Sequence, residues 1–179
     1  MKQELFDKHA KRTIDLWNEI QKIQKEGGHL IFADECVFKA RGYQKNAWSN
    51  QKTNIIIEDR TGKQPCQAVC AAVCKCHGLV NIEVTDYSFT QEKFESFIRD
   101  LRAQVEGNEK IYLFLDNSKV HPVYDEMEKL NIVPVWNVPY RFEFNAAVER
   151  YWAQVKQQFR KILLQKMIEH TSSMEIPLK

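Results

Sequence analysis

No run of this chain is apolar for long enough to cross a bilayer, which takes about 20 residues of helix. A strong excess of one charge is missing too. Its 26 basic and 24 acidic residues leave a formal net charge of +2, so bulk charge does not announce a nucleic-acid partner. There is no internal repeat and no low-complexity tract, and six glycines and five prolines among 179 residues form no dividing linker. One domain with a proper core is expected. The lysine-rich start MKQELFDKHAKR lacks the apolar centre of a secretory signal. The cysteines number five, an odd count. The expected compartment is therefore intracellular and reducing, with free thiols.

The stretch that organises the chain is KIYLFLDN, residues 110–117. Its apolar residues Tyr112 to Leu115 read as a strand buried on both faces, and they run into Asp116. A second apolar run, HLIFADE (29–35), predicts a strand over Leu30–Ala33 that ends in an acid at Asp34. A third segment, NAAVERYW (145–152), offers Glu149 on a predicted helix. Three carboxylates brought together do not all ionise without a cation. Magnesium and manganese accept oxygen ligands and leave room for phosphate and water. Two such ions activate a water or a 3′-hydroxyl and stabilise the leaving oxygen of a phosphodiester, with no covalent nucleophile from the protein. Cys36 lies beside this group in sequence and reads as packing.

The other elements frame these three. Residues 2 to about 26 predict a helix with a stripe of Phe6, Ala10, Thr13, Trp17 and Ile20, widened by Leu16 and Ile23 and closed by Gly27 and Gly28. A turn at Gly42, a short run at Asn54–Ile57 and a turn over residues 59–62 follow. Gln64 to Gly78 alternates as a strand, and Leu79–Val84 pairs back on it. Cys70, Cys74, Cys76 and His77 are close in sequence, but residues along one strand diverge, so they read as small core residues rather than zinc ligands. Thr90 caps a helix over Glu92–Val105. Val120–Leu130 predicts a helix with Pro122 in its first turn, and Ile132–Val138 a strand. A long helix from about Ala146 to Ile168 carries Val148, Trp152, Val155, Phe159, Ile162 and Leu163 on one face, with a fraying tail from Thr171. Hairpin-linked strands first and helix-linked strands later make an α/β protein with a mixed sheet flanked by helices.

Three blocks carry a family resemblance: FADECVF with Asp34, Glu35 and Phe38; YLFLDNSKVH with Asp116, Asn117 and His121; and PYRFEFNAAVERYWAQVK with Asn145, Glu149, Trp152 and Lys156. The chain resembles the catalytic domain of DDE transposases of the mariner superfamily and their bacterial insertion-sequence relatives, whose second block commonly reads DNA…H and whose third typically reads PYSPDLNPIENLWSKLK. The 32 residues between Asp116 and Glu149 suit the family spacing. The resemblance implies a ribonuclease H-like, five-stranded mixed sheet over residues 28–170, with 1–27 as a linker or docking helix and 171–179 as a flexible tail. It implies Asp34, Asp116 and Glu149 as catalytic ligands of two Mg²⁺ or Mn²⁺ ions, with Glu35, Asn117, His121 and Asn145 near the substrate. Arg150, Lys156 and Arg160 are candidates for the DNA backbone. The implied reaction is hydrolytic nicking at transposon ends, then strand transfer by the freed 3′-hydroxyl. The implied partner is DNA, in the nucleus of a eukaryote or the cytoplasm and nucleoid of a bacterium.

The departures from the family are specific. Asn-Pro-Ile-Glu becomes Asn145-Ala146-Ala147-Val148-Glu149, one residue longer and without proline, and one residue turns a helix by about 100°. SPDL is replaced by Arg141-Phe142-Glu143-Phe144. About 28 residues precede the first strand, which leaves no room for the family's helix-turn-helix domains. End recognition is then expected from a homodimer or from a separate reading or assembly partner through the N-terminal helix. The alternative expectation is a domesticated, catalytically silent scaffold subunit.

Overall fold

The computed structural model describes residues 2–39, 66–86, 88–139 and 142–173. In chain order these form α1 (Lys2–Lys25), β1 (His29–Lys39), β2 (Cys66–Cys74), β3 (Gly78–Asp86), α2 (Gln91–Gln104), β4 (Ile111–Leu115), α3 (Tyr124–Lys129), β5 (Ile132–Trp136), a 3₁₀ turn (Phe142–Asn145) and α4 (Ala146–Ser173). The expected strand at 54–57 and the turns at 42 and 59–62 lie outside the described residues.

The five strands form one mixed sheet in the order β3-β2-β1-β4-β5. β1, β2 and β3 pair antiparallel, while β4 pairs parallel to both β1 and β5. Strand alternation sends side chains to two cores. Ile31, Ala33, Cys70, Leu113 and Leu115 pack under α2 and α3 with Phe94, Phe97, Leu101 and Met127. On the opposite face α1 brings Leu16, Ile20 and Ile23 against Phe114, Val135 and Val138. Beside it, α4 brings Val148 and Trp152 against Cys36, Val69, Ala71 and Val73. β2 is thus buried on both faces, as its run of small residues permits.

Several expectations change. β1 does not end at Asp34 but continues to Lys39, because β2 pairs with it as far as Lys39 opposite Cys66. Asp34 and Glu35 therefore stand inside a rigid strand and point to opposite faces. The helix expected over Val120–Leu130 shrinks to the six residues of α3, and Pro122 precedes it; the intervening residues turn His121 into the protein, where it is fully buried. Trp17 is 54% exposed and Ile162 56%, so the buried stripe of α1 is Leu16, Ile20 and Ile23, and α4 outruns the sheet. Cys76 sits exposed in the β2–β3 turn rather than on the strand face.

The end of α1 is a Schellman closure. Gly27 adopts a φ of 73°, with bonds from Gly28 N to Ile23 O (2.9 Å) and from Gly27 N to Gln24 O (3.3 Å). Gly28 lies where α1 meets β4. A Cβ there would stand 2.8 Å from Tyr112 Cε2 and 2.9 Å from Ile23 Cγ2. Gly28→Ala is accordingly expected to destabilise the fold by about 1–3 kcal/mol through overpacking, read as a lower denaturant midpoint with unchanged slope.

Candidate active site

β1 and β4 bring the first two acids together. Their parallel register runs to Phe32 opposite Phe114. Continued by two residues it sets Asp34 level with Asp116, on neighbouring strands about 4.8 Å apart. The third acid arrives on α4, which is docked on β1 by Phe38 against Trp152 (6.1 Å between ring centroids) and Phe159 (5.2 Å). Asp34 shares a strand face with Phe38, and Glu149 lies one helical turn before Trp152. The 3₁₀ turn over Phe142–Asn145 leads into this helix start where the family has proline.

The electrostatics record the encounter. Burial raises the Asp34 carboxyl from 3.8 to about 7, and the charges of Glu35, Glu149 and Asp116 push it the same way. Asp116 moves in the opposite direction. Its hydrogen bond from His121 lowers its pKa despite partial burial. Carboxylates with diverging pKa values in one cluster are a signature of functional sites. A half-buried acid raised by desolvation and by the acids around it is an environment short of positive charge, and an oxygen-preferring divalent cation fits it.

Among the described residues, however, the tightest group of ligand-type atoms is Glu35, Asp116 and His121, all within 4.8 Å of one another. This group is closed rather than open. His121 Nδ1 lies 3.0 Å from Asp116 Oδ1 and Nε2 lies 2.7 Å from Glu35 Oε1, with the imidazole fully buried. Desolvation alone would lower the pKa of the ring, but the bonds to Asp116 and Glu35 outweigh it and raise the value to about 10. Both ring nitrogens are thus engaged by carboxylates, an arrangement suited to an imidazolium. Phe94 packs against it, with ring centroids 4.5 Å apart and planes tilted by 42°. Asp34 and Glu149 are not members of this group.

The remaining residues named from sequence divide clearly. His121 and Asn145 are buried, and neither can touch a substrate directly. The Asn145 Oδ1 has no hydrogen-bond partner among the described residues. Asn117 does not cap α3; its Nδ2 donates to Asn137 O at 2.8 Å and ties the ends of β4 and β5 together. Glu35 is the anchor of His121, a link that no sequence spacing signals. Trp152 is core. On α4, steps of about 100° put Lys156 and Arg160 on the flank of the buried stripe that carries Glu149, and Arg150 well away from it. Lys156 reaches the cluster. It hydrogen-bonds Cys36, whose thiol pKa burial nevertheless raises, with Asp34 and Glu149 also in range. The Cys74 Sγ accepts from His77 N at 3.2 Å, and this pair belongs to the hairpin turn at the far end of β2.

The sequence model of the family described as DDE superfamily endonuclease matches residues 29–170. Among solved structures, the Mos1 strand transfer complex is similar with a TM-score of 0.64, at 12% identity over 94% of this chain and 54% of that one. The Mos1 mariner paired end complex with Mn gives 0.58, at 13% identity over 88% and 54%. A simian T-cell lymphotropic virus intasome gives 0.52, at 15% identity over 84% and 44%. At these identities the likeness is one of fold: the mixed five-stranded sheet flanked by helices is ribonuclease H-like. The chain spans about half the length of the solved chains it matches. No curated protein matches significantly.

Proposed function

The chain belongs to the DDE superfamily endonucleases, and from that premise we propose that it is a metal-dependent endonuclease domain acting on DNA, of the transposase and integrase kind, that nicks phosphodiesters and transfers the freed strand. The observation that carries the proposal is the β1–β4 register, which continued past Phe32 and Phe114 sets Asp34 level with Asp116 on the sheet face where α4 packs. Asp34, Asp116 and Glu149 would hold the divalent ions. When bound, two Mg²⁺ or Mn²⁺ ions supply the activated water or 3′-hydroxyl and neutralise charge on the leaving oxygen. The chain's own residues do the rest. Asp34 is held by a strand paired on both sides, and Glu149 by a helix anchored through Trp152. Lys156, on the Glu149 flank of α4, offers a cation to a backbone phosphate approaching the cluster. The strand transfer and paired end assemblies of the structural neighbours motivate DNA as the substrate and Mn²⁺ as the probe.

The test mixes the purified chain with Mn²⁺ and labelled supercoiled duplex. Nicking is expected in the wild type and a loss of about 10³-fold or more in Asp116→Asn, since this change removes a charged ligand from the metal site. Absent nicking together with absent Mn²⁺ binding would sink the enzyme reading and favour a silent scaffold.

A further inference from the structure

Asp116 stands just past the last residue of β4, beyond the point where the strand ladder holds the backbone. A ligand in that position needs another source of orientation, and the structure supplies one. Two contacts converge on a single oxygen: His121 Nδ1 lies 3.0 Å from Oδ1 and Ser118 N donates to it at 3.0 Å, and the same Nδ1 stands 3.2 Å from the Asp116 main-chain oxygen. The second oxygen, Oδ2, stays available on a side chain that is 49% exposed. Behind His121 stands Glu35, bonded at 2.7 Å and 20% exposed, and it is rooted in β1 opposite Cys70. The imidazole between them is fully buried and packs against the tilted ring of Phe94. The order is thus a rigid strand, a carboxylate, a sealed imidazole, and then the half-exposed acid.

We infer that Glu35 and His121 are positioning residues: a strut from β1 that fixes the Asp116 carboxylate so that one oxygen faces the metal. The inference rests on the metal-site reading above. It assigns the two residues a role apart from contact with DNA or with the ion: both ring nitrogens of the buried His121 are engaged, Nε2 by Glu35 and Nδ1 by the Asp116 carboxylate and main-chain oxygen. Hydrogen-bonded partners behind a ligand commonly set metal affinity by 10- to 100-fold.

The imidazole can be halved. In His121→Asn the amide nitrogen takes the place of Nδ1 and keeps the Asp116 bond; in His121→Gln it takes the place of Nε2 and keeps only the Glu35 bond. Mn²⁺ affinity is measured from the free-ion signal in electron paramagnetic resonance, on variants whose circular dichroism matches the wild type. His121→Asn, which loses the Glu35 end of the strut, is expected to weaken binding by about 10-fold, and His121→Gln, which loses the Asp116 bond itself, by nearer to about 100-fold. Glu35→Ala, which leaves all three proposed ligands in place, should weaken binding by about 10-fold and carries the test alone if the His121 variants do not fold. Equal affinities in the two His121 variants would overturn the strut. So would an unchanged Glu35→Ala, or a Glu35→Ala as severe as Asp116→Asn, which would make Glu35 a ligand. Asp116→Asn binding Mn²⁺ like wild type is a separate failure, that of the metal-site reading itself.

Discussion

Asp34→Asn is expected to abolish metal-dependent nicking and, at pH 8, to raise the melting temperature of the metal-free protein. The two effects share one cause. The native Asp34 carboxyl is raised to about 7, chiefly by burial and then by Glu35, Glu149 and Asp116. Between its ordinary value of 3.8 and about 7 the folded state holds a proton that the unfolded state has lost. Stability therefore falls as pH rises through that window, and the full penalty stands above it. Linkage sets an upper bound on the order of 4 kcal/mol. Asparagine, which has the same shape without the charge, should recover about 1–2 kcal/mol of it, or roughly 3–6 °C for a domain of this size. The gain should vanish below about pH 3, where the aspartate is protonated in both states. Mn²⁺ should raise the wild-type melting temperature, more at pH 8 than at pH 6, and leave the variant unmoved. A variant that melts lower than wild type at pH 8 would mean Asp34 is not repelled by its neighbours. This is the trade expected where a site is kept strained for function.

The largest loss of stability should come from His121→Leu. Leucine fills much of the volume but leaves Glu35 and Asp116 without the cation between them. Breaking a buried charge pair costs about 3–5 kcal/mol. With Asp116 half exposed to water, a value near 3 kcal/mol is expected, measured from denaturant midpoints at pH 7. The pH dependence has the opposite sign to that of Asp34. His121 is raised from 6.5 to about 10, so its contribution is complete below pH 6.5 and is lost as pH rises to about 10. The wild type should weaken across that alkaline range, whereas His121→Leu should stay flat. Parallel curves for the two proteins would show that the imidazole is not charged in the folded state.

Much of the architecture is legible in the chain because local physics writes it there. An apolar run such as Tyr112–Leu115 has no polar face to present to water, so it becomes a central strand. Gly27 ends α1 because a left-handed residue is required at that point, and Thr90 caps α2 by accepting from Lys93 N. The three acids could be singled out as well, because a carboxylate beside a buried strand is conspicuous against its apolar neighbours. Where β1 ends was not legible. Asp34 looked like a terminus, but cross-strand pairing with β2 continues the strand past it, and pairing is a contact between segments distant in sequence. Nor was the exposure of Trp17, since α1 has apolar residues on more faces than the sheet can cover.

What the sequence by itself determined is therefore most of the elements and the two-sided burial of the central strands, and it singled out three candidate acids. Only the tertiary structure decided which acid does what. Asp34 and Glu35 are adjacent and chemically alike, yet strand alternation sends one toward Glu149 on α4 and the other into a buried bond with His121, a partner 86 residues away. Side-chain periodicity is a local property and can be read along the chain. Which neighbour waits on each face depends on how the helices pack, and no nearby residue records that.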